Sequence, residues 1–143
     1  MPDPSSTPTL VSLIICDQVI DDRLTNKKSA IGLFNTILVG ELPARTPQIM
    51  VLASLTEIGG PTPIALRLMR DADNLELFST EGDVDAETPL ATVDLVFSLQ
   101  GITFPATGQY AFELWAGSEL LGRRRFQIVR HAKARDTEST GSD

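Results

Sequence analysis

Residues 108–129 carry the pattern that decides the fold. They read Gly108-Gln-Tyr110-Ala-Phe112-Glu-Leu114-Trp115, then Ser118-Glu-Leu-Leu-Gly-Arg-Arg-Arg-Phe126-Gln-Ile128-Val129. Tyr110, Phe112 and Leu114 alternate with Ala111 and Glu113. Such alternation puts successive side chains on opposite faces of a strand, one buried and one wet. Gly117-Ser118 lies between the two runs and reads as the turn of a hairpin. A turn of three residues sets Glu113 opposite Arg123 and Phe126 beside Tyr110. That register keeps Phe112, Phe126 and Ile128 on one face.

The same period of two recurs upstream. Ile64, Leu66 and Leu68 alternate with Ala65, Arg67 and Met69, and Val93, Leu95, Phe97 and Leu99 alternate with Thr92, Asp94, Val96 and Ser98. No long stretch keeps a helical period with caps. Turn chemistry parts the runs: Leu24–Ser29, Gly59-Gly-Pro-Thr-Pro63, Asp71-Ala-Asp-Asn74 and the acidic stretch Glu81–Pro89. Eight or nine short strands with turns about every ten residues point to an antiparallel β-sandwich. A barrel is the alternative. The first strand, Leu10–Cys16, is apolar on both faces, which suits a central strand or one that changes sheet. Pro105-Ala-Thr-Gly108 makes a corner just before Tyr110. In immunoglobulin-like sandwiches a Tyr at such a corner bonds its hydroxyl to upstream backbone. Tyr110 is expected to do so, in an all-β, immunoglobulin-like sandwich spanning residues 9–130. Residues 1–8, with three prolines, read as a flexible arm, and the polar residues 131–143 as a disordered tail.

Composition narrows the chemistry. The chain has 143 residues, enough for one domain that needs no metal or disulfide staple. Its net charge of −7 disfavours phosphate backbones and anionic membranes as partners. It holds one Cys and one His. A structural zinc site needs about four such ligands. A lone Cys forms no intrachain disulfide. Cys16 sits in an apolar strand beside Asp17, which argues for an inert thiol. His131 opens the polar tail, away from any nucleophile. Without a basic, apolar leader or a disulfide set, the expected location is a reducing cytoplasm.

Several segments together resemble a group of uncharacterised bacterial proteins, short single-domain β-sandwiches of unknown function. They are Ile15-Cys-Asp-Gln-Val-Ile20, Lys28-Ser-Ala-Ile-Gly-Leu-Phe34, Gly108-x-Tyr-x-Phe-Glu-Leu, Leu121-Gly and Phe126-x-Ile-Val129. The resemblance implies a sandwich in a bacterial cytoplasm. It implies no activity, cofactor or functional residue.

Candidate site residues fall into four sets. Asp71, Asp73, Asp83 and Asp85 could supply calcium oxygens if their loops met. The simpler reading is solvated turn aspartates, because the Leu75–Phe78 strand would hold the loops apart. Asp17 and Asp21 share a strand face and could form a carboxylate pair in a cleft, although charges near edges and turns are routine. Arg123-Arg-Arg125 could bind an anion, but the alternation splits the run between faces and Glu113 offers Arg123 a cross-strand partner. Trp115 lies on the outer face of its strand, with Leu120 or Leu121 across from it. Burial under a loop or the 35–48 connection would explain it. A contact surface formed by Trp115, Leu120 and Leu121 is the sharper expectation, and stacking on a sugar is a thinner one. The sequence therefore predicts a protein that is not an enzyme and holds no cofactor or metal. It is expected to be an interaction or structural module that self-associates, as a homodimer, through a sheet edge or the Trp115 hairpin. The alternative is a calcium- or small-ligand-binding sandwich using the acidic loops.

Overall fold

The computed structural model describes residues 7–131. The expected arm and tail fall outside those residues, apart from Thr7, Pro8 and His131. There are eleven strands and no helix among the described residues: β1 (Thr9–Asp22), β2 (Lys27–Leu33), β3 (Thr36–Val39), β4 (Ala44–Arg45), β5 (Gln48–Thr56), β6 (Thr62–Arg70), β7 (Leu75–Val84), β8 (Val93–Gln100), β9 (Thr103–Phe104), β10 (Gly108–Ala116) and β11 (Glu119–Arg130). The expected count of eight or nine needs correction. Eight strands have seven residues or more, but β3, β4 and β9 have four, two and two. Segments that short show no period in sequence.

The long strands form two sheets, β2-β1-β5-β8 and β3-β11-β10-β6-β7, and β4 pairs with β9. This is a β-sandwich of immunoglobulin-like order. A sheet led by the first long strands faces one in which the last hairpin, β10–β11, is flanked by β3 and β6, with β7 beyond β6. One pair departs from the expected antiparallel arrangement: β3 runs parallel to β11, with Ile37 beside Ile128. The expected acidic loop also shortens, because β7 stays paired with β6 as far as Thr62–Val84.

The core sits between the sheets. Leu13 and Ile15 of β1, Val51 and Leu55 of β5, and Leu66 and Leu68 of β6 meet the inward side chains of β10 and β11. Tyr110 stacks on Phe126 at 5.9 Å between centroids, Phe126 on Phe112 at 5.4 Å, and Phe104 meets Tyr110 edge-on at 5.0 Å. Such pairs add to the burial of large apolar rings. Tyr110 is fully buried, and its hydroxyl donates to the Ala106 carbonyl at 2.7 Å, the corner bond expected from the sequence.

Candidate functional site

The β10–β11 hairpin reaches the expected register by another route. Glu113 faces Arg123 and Tyr110 faces Phe126. The turn, however, has two residues, because Ala116 already pairs with Glu119. Gly117 takes the first turn position at φ 58°, a left-handed conformation that Gly adopts without cost. A bulge after Leu114 then absorbs Leu121. One turn residue fewer and one bulge residue more leave the register downstream unchanged.

The bulge separates the two leucines offered with Trp115. Leu120 pairs with Trp115 and is 45% exposed, whereas Leu121 packs against the core cluster. Trp115 itself is half-buried. The Arg67 guanidinium lies over it, 4.9 Å from the ring centroid. Its indole nitrogen donates to Glu113 Oε1 at 3.0 Å. Around it the face is charged. Arg123 reaches Asp71 at 2.7 Å and Glu113 at 3.4 Å, Arg125 lies 3.8 Å from Asp71, and Arg67 lies 3.9 Å from Glu76. An open groove of about 350 Å³ beside this network is lined by Arg67, Glu81 and Asp83 with Pro63, Ala65 and Gly117.

The aspartates offered as calcium ligands are not brought together. Asp71 is engaged by Arg123, and that hydrogen bond holds its carboxyl below the usual carboxylate range. Asp73 takes two hydrogen bonds from Arg70, at 3.0 and 2.7 Å, which lower its carboxyl likewise. Asp83 and Asp85 lie at the far end of the ten-residue β7, about 30 Å away at the usual rise per residue. Among the described residues no three His, Cys, Asp or Glu side chains gather as a ligand set. Asp17 and Asp21 are both exposed on β1, about 13 Å apart by the same rise, with Asp21 3.9 Å from Lys28. Cys16 is fully buried, its thiol donates to the Gln18 carbonyl at 3.4 Å, and burial pushes its pKa up. His131 is exposed, and its backbone N–H closes onto Val39.

A surface not singled out in the sequence lies on the opposite side of the molecule. Leu13 and Ile15 point into the core, so Ile14 and Cys16 face outward. Cys16 is flanked on that face by Leu33 and Met50, and Ile14 by Leu52, with Val96 beyond it. Cys16 and Leu52 are buried yet stand outside the core cluster. Ile31, Leu33 and Val96 are exposed at 45%, 61% and 40%. Between the Ser12–Ser54 row and the Gln18–Ile31 row this face carries no charged side chain. One end holds Asp94, which accepts from Ser54 at 2.6 Å, and the other holds the β1–β2 turn.

With both faces described, the comparisons with known proteins can be set beside them. A family of unknown function, DUF6941, matches residues 11–129. The chain belongs to this family. No curated protein matches it. Among solved structures it is similar to an immunoglobulin-like protein from Pseudomonas aeruginosa, at 14% identity and a TM-score of 0.44, over 88% of this chain and 99% of that one. It is also similar to an alkylpurine DNA glycosylase from Pseudomonas fluorescens bound to DNA, at 11% identity and a TM-score of 0.44, over 82% of this chain but 30% of that one. Among the described residues no helix is long and apolar enough to cross a membrane.

The outward face of this family member did have a sequence signal. Leu10–Cys16 is apolar on both strand faces, and so is Ile49–Leu55. One such strand has several explanations. Two of them paired side by side, as β1 and β5 are, make a sheet that is apolar on its outer side as well.

Proposed function

We propose that this chain is a non-catalytic protein-interaction module that self-associates, and that the four-stranded sheet β2-β1-β5-β8 is the part it uses. The observation that carries the reading is the outward face of that sheet. It exposes Ile31, Leu33 and Val96 around a stretch without charge, in a protein of net charge −7. Depletion of charge at the centre of a patch marks protein interfaces more reliably than bulk hydrophobicity does. The Trp115 face supports the role less well, because its charges are already paired within the chain and Arg67 caps the ring. The scattered placement of Cys16, His131, Asp17 and Asp21 supports a role without catalysis. A bacterial, cytoplasmic setting belongs to the same proposal, since one buried, unpaired thiol suits a reducing compartment.

Light scattering tests the reading. The native chain is expected to give the mass of a dimer, and the double variant Ile31→Glu/Leu33→Glu the mass of a monomer with an unchanged circular dichroism spectrum. A native chain that stays monomeric at its highest soluble concentration would overturn the reading.

A further inference from the structure

The two sheets end in four edges: β2, β8, β3 and β7. An open edge presents unpaired N–H and C=O groups, and proteins blunt it with charge, bulges or brevity. β7 carries Glu76, Glu81 and Asp83 and has a bulge at Leu77. β3 has four residues. β8 carries Asp94 and no cation that could answer it in a second copy. β2 also carries charge, in Lys27 and Lys28, but it runs for seven residues without a bulge, exposes Ile31 and Leu33, and lies beside acids of β1 that could answer its lysines in a second copy.

We propose that β2 pairs antiparallel with β2 of a second copy, joining two four-stranded sheets into one of eight. This rests on the self-association reading above and gives it a geometry. A two-fold axis perpendicular to a sheet keeps each face on its own side, so it must pass through a residue that faces itself. The middle residue of Lys27–Leu33 is Ala30. With Ala30 on the axis, Lys28 faces Gly32 of the partner subunit, Ser29 faces Ile31 of the partner subunit, and Lys27 faces Leu33 of the partner subunit.

The charges then complement one another. Gly32, at φ +76°, lies between the paired rows Cys16–Leu33 and Gln18–Ile31, and the Asp17 carboxylate occupies the space a Cβ there would need. Lys28 therefore meets Asp17 of the partner subunit across the seam, once on each side of the axis. Among the described residues Asp17 has no ion pair, and Lys28 has only the 3.9 Å approach to Asp21. On the other face Ile31 comes beside Ser29 of the partner subunit, with Ile20 of the partner subunit one strand further. The apolar side chains that β2 exposes are thus covered, and Lys27 lays its stem along Leu33 of the partner subunit.

A charge exchange tests the register. Asp17→Lys alone sets two bases together at both contacts, and Lys28→Asp alone sets two acids together. Each single variant is expected to raise the dimer dissociation constant by about tenfold or more in sedimentation velocity. An equimolar mixture of the two variants is expected to restore the dimer, because each contact then joins one acid to one base. Glu81→Lys, on the β7 edge of the other sheet, is expected to leave the dimer intact. The near-UV signal of Trp115 reports that each variant is folded. A native dimer that persists unchanged in both single variants, or a mixture that stays monomeric, would overturn the β2 pairing and leave self-association standing. Loss of the dimer in Val96→Glu alone would instead favour face-to-face packing and overturn the pairing. A native chain that is monomeric throughout would remove both readings.

Discussion

Asp71 sits at the β6–β7 turn and holds two arginines of β11, one of them at 2.7 Å. The Arg123 hydrogen bond lowers its pKa, so the folded state keeps the carboxylate ionised to lower pH than the unfolded chain does. The stability gained is therefore fully present above the unfolded value of about 4 and is lost as pH falls through the lower folded value. For a pair about a quarter exposed it is worth about 1 kcal/mol, or about 3 °C in melting temperature. Calorimetry is expected to show Asp71→Asn melting lower than the native chain by a constant interval from pH 7 to about 5, and the interval closing below about pH 4. An interval that widens on acidification would contradict this account. The same residue shows a limit of sequence reading. Asp71 looked like a turn former or a metal oxygen, because its partner Arg123 lies 52 residues away. Tyr110 was legible for the opposite reason, since its acceptor Ala106 is four residues away.

At the scale of elements, strands with a clean period of two were readable, and β10–β11 most of all. Its register was predictable because an aromatic face must match an aromatic face across the hairpin, whatever the turn does. The turn length was not, because a two-residue turn with a bulge and a plain three-residue turn give the same pairing downstream. That equivalence makes a prediction. Deleting Leu121 removes the bulge and leaves Gly122 opposite Leu114, so Phe126 and Ile128 keep facing the core, whereas deleting Arg124 slips the rest of β11 by one residue and turns both outward. The Leu121 deletion is expected to keep a cooperative thermal transition by circular dichroism, and the Arg124 deletion to lose it. Loss of the transition in the Leu121 deletion, with the Arg124 deletion tolerated, would contradict the assigned bulge. The short strands β3, β4 and β9 were beyond reach, because they exist through long-range partners: β11 for β3, and each other for β4 and β9.

At the scale of the whole molecule, the sandwich has two outer faces of different character. One is a lattice of ion pairs around Trp115. The other is apolar, ends in the edge strand β2, and is the face the proposed function depends on. Trp115 drew attention because a lone large aromatic is conspicuous in sequence, whereas no single residue on the β1–β5 face stands out. That surface becomes visible only when two doubly apolar strands are known to be neighbours. Amide hydrogen exchange across a dilution series tests its role most directly. The account predicts that protection within Lys27–Leu33 rises with protein concentration while that of β7 and the β10–β11 turn does not change. Exchange independent of concentration at β2, or concentration-dependent protection centred on the Trp115 face, would contradict it.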